Sequence, residues 1–279
     1  MNPEQISSLV GEVEALVQQA GRAILPIYSD ESRWQVETKA DDSPLTQADL
    51  AAHRILDPGL SALGAGWPVL SEESESVPWP ERRQWTTYWL VDPLDGTKEF
   101  VGRTGEFTVN VALIHDHRPV LGVVGVPLDG TLYTGVNLGS PVAWRLQEGK
   151  RAQIRVSPPA SPIRLLASRR SGVDAVDDLL ERLQSRGQSV EKVSAGSSLK
   201  LCRIAEGRAD VYPRLAPTSE WDTAAAQAVL EAAGGRVTDL QGEPLRYNTK
   251  DSLLNPHFIC TGGRPDLWSV WLDGLFTHP

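Results

Sequence analysis

Four acidic sites in a chain of 279 residues have the type and setting to hold a hard cation: Asp49, Glu72, the pair Asp92/Asp95, and Asp222. The pair lies in Asp92-Pro93-Leu94-Asp95-Gly96-Thr97, directly after the apolar run Tyr88 to Val91. That run predicts a buried strand. Pro93 and Gly96 predict a turn that ends it, which sets two carboxylates on a tight loop at a strand terminus. Carboxylate oxygens and a turn carbonyl, such as that of Leu94, are the ligands that Mg²⁺ or Ca²⁺ takes. Asp beside Pro and Gly is also ordinary turn chemistry, so the hexapeptide alone leaves both readings open.

The other acids have bland readings of their own. Thr46 followed by Asp49 resembles a capping box, with Asp in place of the usual Glu or Gln. Asp222 precedes Thr223-Ala224-Ala225-Ala226 and suits the first turn of a helix. Glu72 and Glu73, after the short strand Trp67 to Leu70, could be solvated. All of these acids fall at element ends, where loops on a rigid scaffold build sites. If they converge, the carboxylates repel one another and need divalent cations to neutralise them. Two such ions can clamp a phosphoryl group, one lowering the pKa of an attacking water and the other stabilising the leaving oxygen.

Composition removes competing classes. A net charge of −9 and a pI near 5.1 argue against binding a nucleic-acid polymer. There is no Walker loop, dinucleotide fingerprint or Gly-x-Ser-x-Gly. His53, His115, His117, His257 and His278 form no zinc motif. Cys202 and Cys260 fit neither a metal site nor a disulfide framework, which points to a reducing compartment. Asp-x-Asp-Gly-Thr marks the aspartyl-phosphate phosphatases, but here the carboxylates are three apart and several elements precede them. With no apolar run long enough to span a membrane and no visible secretory signal, the reading is a soluble cytoplasmic protein. Oligomeric state is left open.

The elements that must position these residues fall into two halves. Residues 1–156 read as an α+β half. An amphipathic helix through Ile6, Leu9, Val10, Val13, Leu16, Val17 and Ala20 ends near Pro26 to Tyr28. A second helix starts at Thr46 and is disturbed at Pro58. A meander of strands runs through Phe107–Ile114, Val120–Val126, Thr131–Val136, Ala143–Leu146 and Ile154–Val156. Ser157-Pro158-Pro159-Ala160-Ser161-Pro162 is the boundary. Residues 157–279 alternate strand and helix, which predicts an α/β half carrying Asp222 and closing its Ala-rich helix at Gly234-Gly235.

Taken together, Leu70-Ser71-Glu72-Glu73, Asp92-Pro93-Leu94-Asp95-Gly96-Thr97, Trp221-Asp222-Thr223-Ala224-Ala225 and Ala233-Gly234-Gly235 resemble the inositol-monophosphatase superfamily of Mg²⁺-dependent, lithium-sensitive phosphatases. The resemblance runs from Asp42-Ser43-Pro44-Leu45-Thr46 to Asn255-Pro256, and it implies the layered α+β/α/β sugar-phosphatase fold. Thr97-Lys98-Glu99-Phe100, Gly105-Glu106-Phe107-Thr108-Val109-Asn110 and Gly196-Ser197-Ser198-Leu199-Lys200 resemble its bacterial 3′(2′),5′-bisphosphate nucleotidase branch.

The resemblance implies that Glu72, Asp92, Asp95, Asp222 and the Leu94 carbonyl hold two or three Mg²⁺ ions. Asp49 and Thr97 would orient and deprotonate the attacking water, while Gly96 and Thr97 offer N–H groups to the scissile phosphate. Ser197, Lys200 and Arg214 would contact the nucleotide and its second phosphate; Glu72, Leu94, Asp95 and Asp222 would also border the substrate. Ser197 is expected to open a helix, with Lys200 one turn on. Where the branch commonly carries His, this chain has Ser171, which leaves base preference open.

The implied activity is hydrolysis of the 3′-phosphate of adenosine 3′,5′-bisphosphate to AMP, with the sulfated form as a further substrate. It would clear a by-product of sulfate assimilation. Two alternatives stand beside it: an inositol or sugar monophosphatase on the same scaffold, and a non-catalytic metal-binding regulator, against which the intact Asp49 and Thr97 weigh.

Overall fold

The computed structural model describes residues 1–38, 44–63, 66–167 and 173–272. In chain order the first half holds α1 (Pro3–Tyr28), β1 (Glu37–Thr38), β2 (Pro44–Leu45), α2 (Gln47–Ala62), β3 (Val69–Ser71), α3 (Trp79–Arg82) and β4 (Thr87–Asp95). It continues with α4 (Thr97–Val101), β5 (Thr108–His115), β6 (Arg118–Val126), β7 (Thr131–Val136), β8 (Val142–Gln147) and β9 (Lys150–Gln153). The second half holds β10 (Ile163–Ala167), α5 (Val173–Ser185), β11 (Val190–Ser194), α6 (Leu199–Ala205) and β12 (Val211–Arg214). After these come α7 (Glu220–Ala232), β13 (Arg236–Asp239), β14 (Phe258–Thr261) and α8 (Pro265–Leu272).

Seven strands, β3 to β9, form one sheet in sequence order, antiparallel except where β3 joins β4. A five-stranded sheet of order β11-β10-β12-β14-β13 forms the other. It is mixed: β10 runs parallel to β11 and β12, while β14 runs antiparallel to β12 and β13. Alternation along each strand sorts residues to opposite faces. Trp89, Val91, Val111, Leu113, Leu121 and Val123 pack with α1 and α2, whereas Tyr88, Leu90, Ala112, Ile114 and Val124 pack with α6 and α7. Tyr212, Phe258 and Cys260 cover the far side of α6 and α7, and Ile163, Leu165, Val211 and Ile259 meet α5 and α8. Five layers result: helices, sheet, helices, sheet, helices.

Several local expectations change. α2 runs through Pro58 to Ala62, because Ala52, Leu56 and Leu60 bury a stripe whose packing outweighs one lost backbone bond. The last strand of the meander is Lys150–Gln153, earlier than Ile154. Glu148 and Gly149, at φ of 50° and 74°, supply the two-residue turn with both φ positive that fits the twist of a hairpin. Among the described residues no helix is long and apolar enough to cross a membrane.

Candidate active site

The sheet delivers the acidic pair through a bulge. β4 continues to Asp95 and does not stop at Asp92, so the expected turn is a strand irregularity. On a regular strand residues three apart face opposite sides. Here Asp92 lies across from Asn110 and Asp95 across from Thr108, so three steps on β4 match two on β5. The extra residue removes the opposition and brings both carboxylates to one side. Pro93 is tolerated at the bulge because no ladder N–H is required of it there. The Leu94 N–H donates to Asp92 Oδ1 at 3.0 Å and fixes that side chain.

Gly96, at φ 91°, reverses the chain into α4, of which Thr97 is the first residue. An alanine Cβ there would adopt a left-handed backbone and meet the Glu106 carbonyl at 3.3 Å. Thr97 Oγ1 sits 3.3 Å from Asp49 Oδ1 and 3.3 Å from the Leu94 carbonyl oxygen. The other oxygen of Asp49 closes the capping box of α2, accepting from the Thr46 N–H at 2.8 Å and hydroxyl at 2.6 Å. Burial pushes the Asp49 pKa up to about 6, with the Thr46 hydrogen bonds opposing and Glu73 and Glu72 adding to the rise.

Asp222 reaches the pair from α7. It also closes a capping box, accepting from the Ser219 N–H at 2.9 Å. α7 can lie close to the first sheet because β6 and β7 present glycines to it. A Cβ on Gly122 would sit 2.2 Å from the Ala225 carbonyl oxygen, and one on Gly135 would sit 2.4 Å from Val229 Cα. With the helix seated there, one carboxylate oxygen from each of Asp92, Asp95 and Asp222 falls within 4.8 Å of the others. Glu72, following β3, shares a side-chain hydrogen bond with Asp92. Burial first, then Glu72, Asp95 and Asp222, raises the Asp92 pKa well above the carboxylate range; burial, Asp95 and Glu72 do the same to Asp222. Buried carboxylates that repel one another, with a carbonyl beside them, are an all-oxygen donor set suited to a hard divalent cation.

A cavity of 240 Å³ opens from Asp95 and Asp222 and is lined by Ser197, Lys200, Tyr212 and Arg214. The buried Lys200 Nζ lies 5.2 Å from the Tyr212 ring centre, and Tyr212 meets Phe258 edge-on at 6.3 Å. Lys98, part of the Thr97-Lys98-Glu99-Phe100 segment singled out above, also lines the cavity, as do Tyr212 and Phe258, which the sequence did not single out. Tyr212 could have been found from its place two before Arg214 on one strand, which puts both on one face. Ser197 does not open a helix. It has φ 45°, and α6 begins two residues later at Leu199. The Ser198 N–H donates to Asp95 Oδ2, so this turn holds the Asp95 carboxylate, while Ser197 lines the cavity. Ser171 lies outside the described residues, as do Asp42 and Ser43.

The sequence matches the inositol monophosphatase family over residues 7–267. The chain belongs to this family. The 3′(2′),5′-bisphosphate nucleotidase CysQ of Escherichia coli K12 is 46% identical over 250 residues, covering 90% of this chain and 98% of the relative. The crystal structure of CysQ from Bacteroides thetaiotaomicron, 40% identical, superposes with a TM-score of 0.79 over 92% of this chain and 98% of that one. An inositol monophosphatase from Anabaena shares the fold at 23% identity, with a TM-score of 0.72 over 98% of this chain and 97% of that one. Inositol monophosphatase family enzymes are metal-dependent, typically on Mg²⁺, and the three-carboxylate cluster is present here.

Proposed function

We propose that this chain is a 3′(2′),5′-bisphosphate nucleotidase that hydrolyses the 3′-phosphate of adenosine 3′,5′-bisphosphate to AMP and phosphate. One observation carries the choice of substrate: the cavity has two chemically different kinds of lining. Carboxylates suited to a metal (Asp95, Asp222) border it together with the cations Lys200 and Arg214 and the rings of Tyr212 and Phe258. A ligand with two phosphates and an aromatic base uses both kinds. Inositol 1-phosphate has neither a second phosphate nor a base. The identity to the E. coli nucleotidase supports the same reading.

Asp92, Asp95, Asp222, Glu72 and the Leu94 carbonyl would hold two or three Mg²⁺ ions. Bound Mg²⁺ supplies positive charge that acidifies water and offsets charge on the leaving oxygen. Thr97 and Asp49 form the proton path: the Thr97 hydroxyl, 3.3 Å from Asp49 Oδ1, orients a water whose proton passes to that carboxylate. The capping bonds to Oδ2 keep Asp49 fixed while it does so. The Gly96 and Thr97 N–H groups face the phosphate, and Lys200 with Arg214 takes the second one. We further propose that residues 1–156 supply most of the metal ligands and residues 157–279 supply Asp222 and the nucleotide contacts, in a reducing, cytoplasmic setting suited to the buried free Cys202 and Cys260.

Phosphate release in Mg²⁺, compared between adenosine 3′,5′-bisphosphate and inositol 1-phosphate with and without lithium, tests the assignment. The nucleotide should turn over faster, and lithium should inhibit. Faster turnover of the inositol substrate would overturn it in favour of the sugar phosphatase, and no turnover of either would favour a regulator.

A further inference from the structure

A second cavity, of 220 Å³, lies behind α6. Leu199 and Arg203, one turn apart, line it, whereas Lys200 and Leu201 on the same helix line the substrate cavity. Arg145, Arg203 and Arg208 line it together with one carboxylate, Asp129, while Glu206 bonds two of the lining residues, Tyr133 and Arg145. Glu206 is already engaged. It accepts from the Tyr133 hydroxyl at 3.2 Å and from Arg145 at 3.0 Å, and lies 3.5 Å from Arg208 Nε. Arg203 is different: its Nε is buried and has no hydrogen-bond partner among the described residues. Arg203 lines the cavity as a third cation, and its charge, not this N–H, is what attracts an anion.

We propose that this cavity binds a small tetrahedral oxyanion, and that it prefers hydrogen phosphate to sulfate. The arginine excess attracts either ion, and the guanidinium fork matches the oxygens of both. The carboxylate discriminates. Asp129 repels a fully ionised sulfate, whereas the P–OH of hydrogen phosphate can donate to its carboxylate. The site does not depend on the reaction assigned above.

Calorimetric titration of the Mg²⁺-loaded chain with orthophosphate, and separately with sulfate, tests this. The Asp95→Asn variant should keep the phosphate-binding class assigned here, because that substitution alters only the metal cluster. Arg203→Gln should weaken this class at least tenfold while leaving kcat for the bisphosphate within twofold. Arg208→Gln, at an exposed position, should weaken it by a smaller factor without loss of fold. Identical phosphate isotherms for the parent, Arg203→Gln and Arg208→Gln would overturn the site. So would loss of all phosphate binding in Asp95→Asn. Tighter binding of sulfate than of phosphate would overturn the discrimination.

Discussion

At the residue scale, Asp49 divides its two oxygens between fold and site: Oδ2 closes the cap of α2 and Oδ1 faces Thr97. Asp95 is held in a similar way, by the Ser198 N–H and, at 3.5 Å each, by the Thr108 hydroxyl and the Asn110 amide. Asp95→Asn keeps an acceptor for these donors and removes a charge from the cluster. It should lower kcat/KM by more than about 100-fold, the upper range for losing even an outer-shell partner of a metal. The melting temperature of the metal-free protein should hold or rise, because one of several repelling carboxylates is gone. Turnover near that of the parent would contradict the metal assignment.

Lys200 offers a pH test. Burial pushes its pKa down to about 8; Asp95 opposes the fall and Arg214 adds to it. The ammonium form is the one that attracts a phosphate, so it is present below that value and lost as pH rises through it. The bisphosphate kcat/KM, which reports the free enzyme, should therefore decline above about pH 8. Lys200→Gln should show a lower value without that decline, and a parent profile flat to pH 10 would remove Lys200 from substrate binding.

At the element scale, the position of α7 is set by absent side chains. Gly135→Ala places a methyl on the helix backbone at Val229 and forces α7 off the sheet. Overpacking of this kind costs about 1–3 kcal/mol. Because Asp222 rides on α7 while Asp92 and Asp95 ride on β4, the same change should raise the Mg²⁺ concentration needed for half-maximal activity. Urea unfolding and a Mg²⁺ titration measure the two effects; a stability loss with unchanged Mg²⁺ dependence would separate Asp222 from the metal. The cap at Thr46/Asp49 was legible in sequence, because a capping box is a contact between residues three apart; at α7 only the first-turn acid Asp222 was read, and its partner Ser219 came from the structure. The bulge in β4 was not. It is defined by pairing to β5, and Pro93 with Gly96 reads equally well as a turn.

At the scale of the whole molecule, the two sheets are tied across the site by a buried guanidinium. Arg82, on α3, is 2% exposed and donates to Asn248 Oδ1 at 2.6 Å, to the Lys250 carbonyl at 3.2 Å and to the Asp251 carbonyl. Asn248 returns a bond to the Arg82 carbonyl at 2.6 Å, and its N–H donates to Glu220 Oε2 at 2.8 Å, at the start of α7. Arg82→Met should cost about 3 kcal/mol or more in urea unfolding, since it strands buried acceptors and a carboxylate. Removal of this tie with no change in stability would mean the halves are held by the helix layer alone.

The sequence by itself determined the chemistry of the donors, the cap that starts α2, the acid in the first turn of α7, and the β-rich segments of the meander. These are local properties, written within a few residues. Only the tertiary structure decided that Asp222 meets Asp92 and Asp95, that Tyr212 and Phe258 wall the cavity beside them, and that the Ser198 N–H serves Asp95. Each of those depends on how far a helix stands from a sheet or which strands pair. Those distances are set by glycines and packing remote in the chain from the residues they bring together.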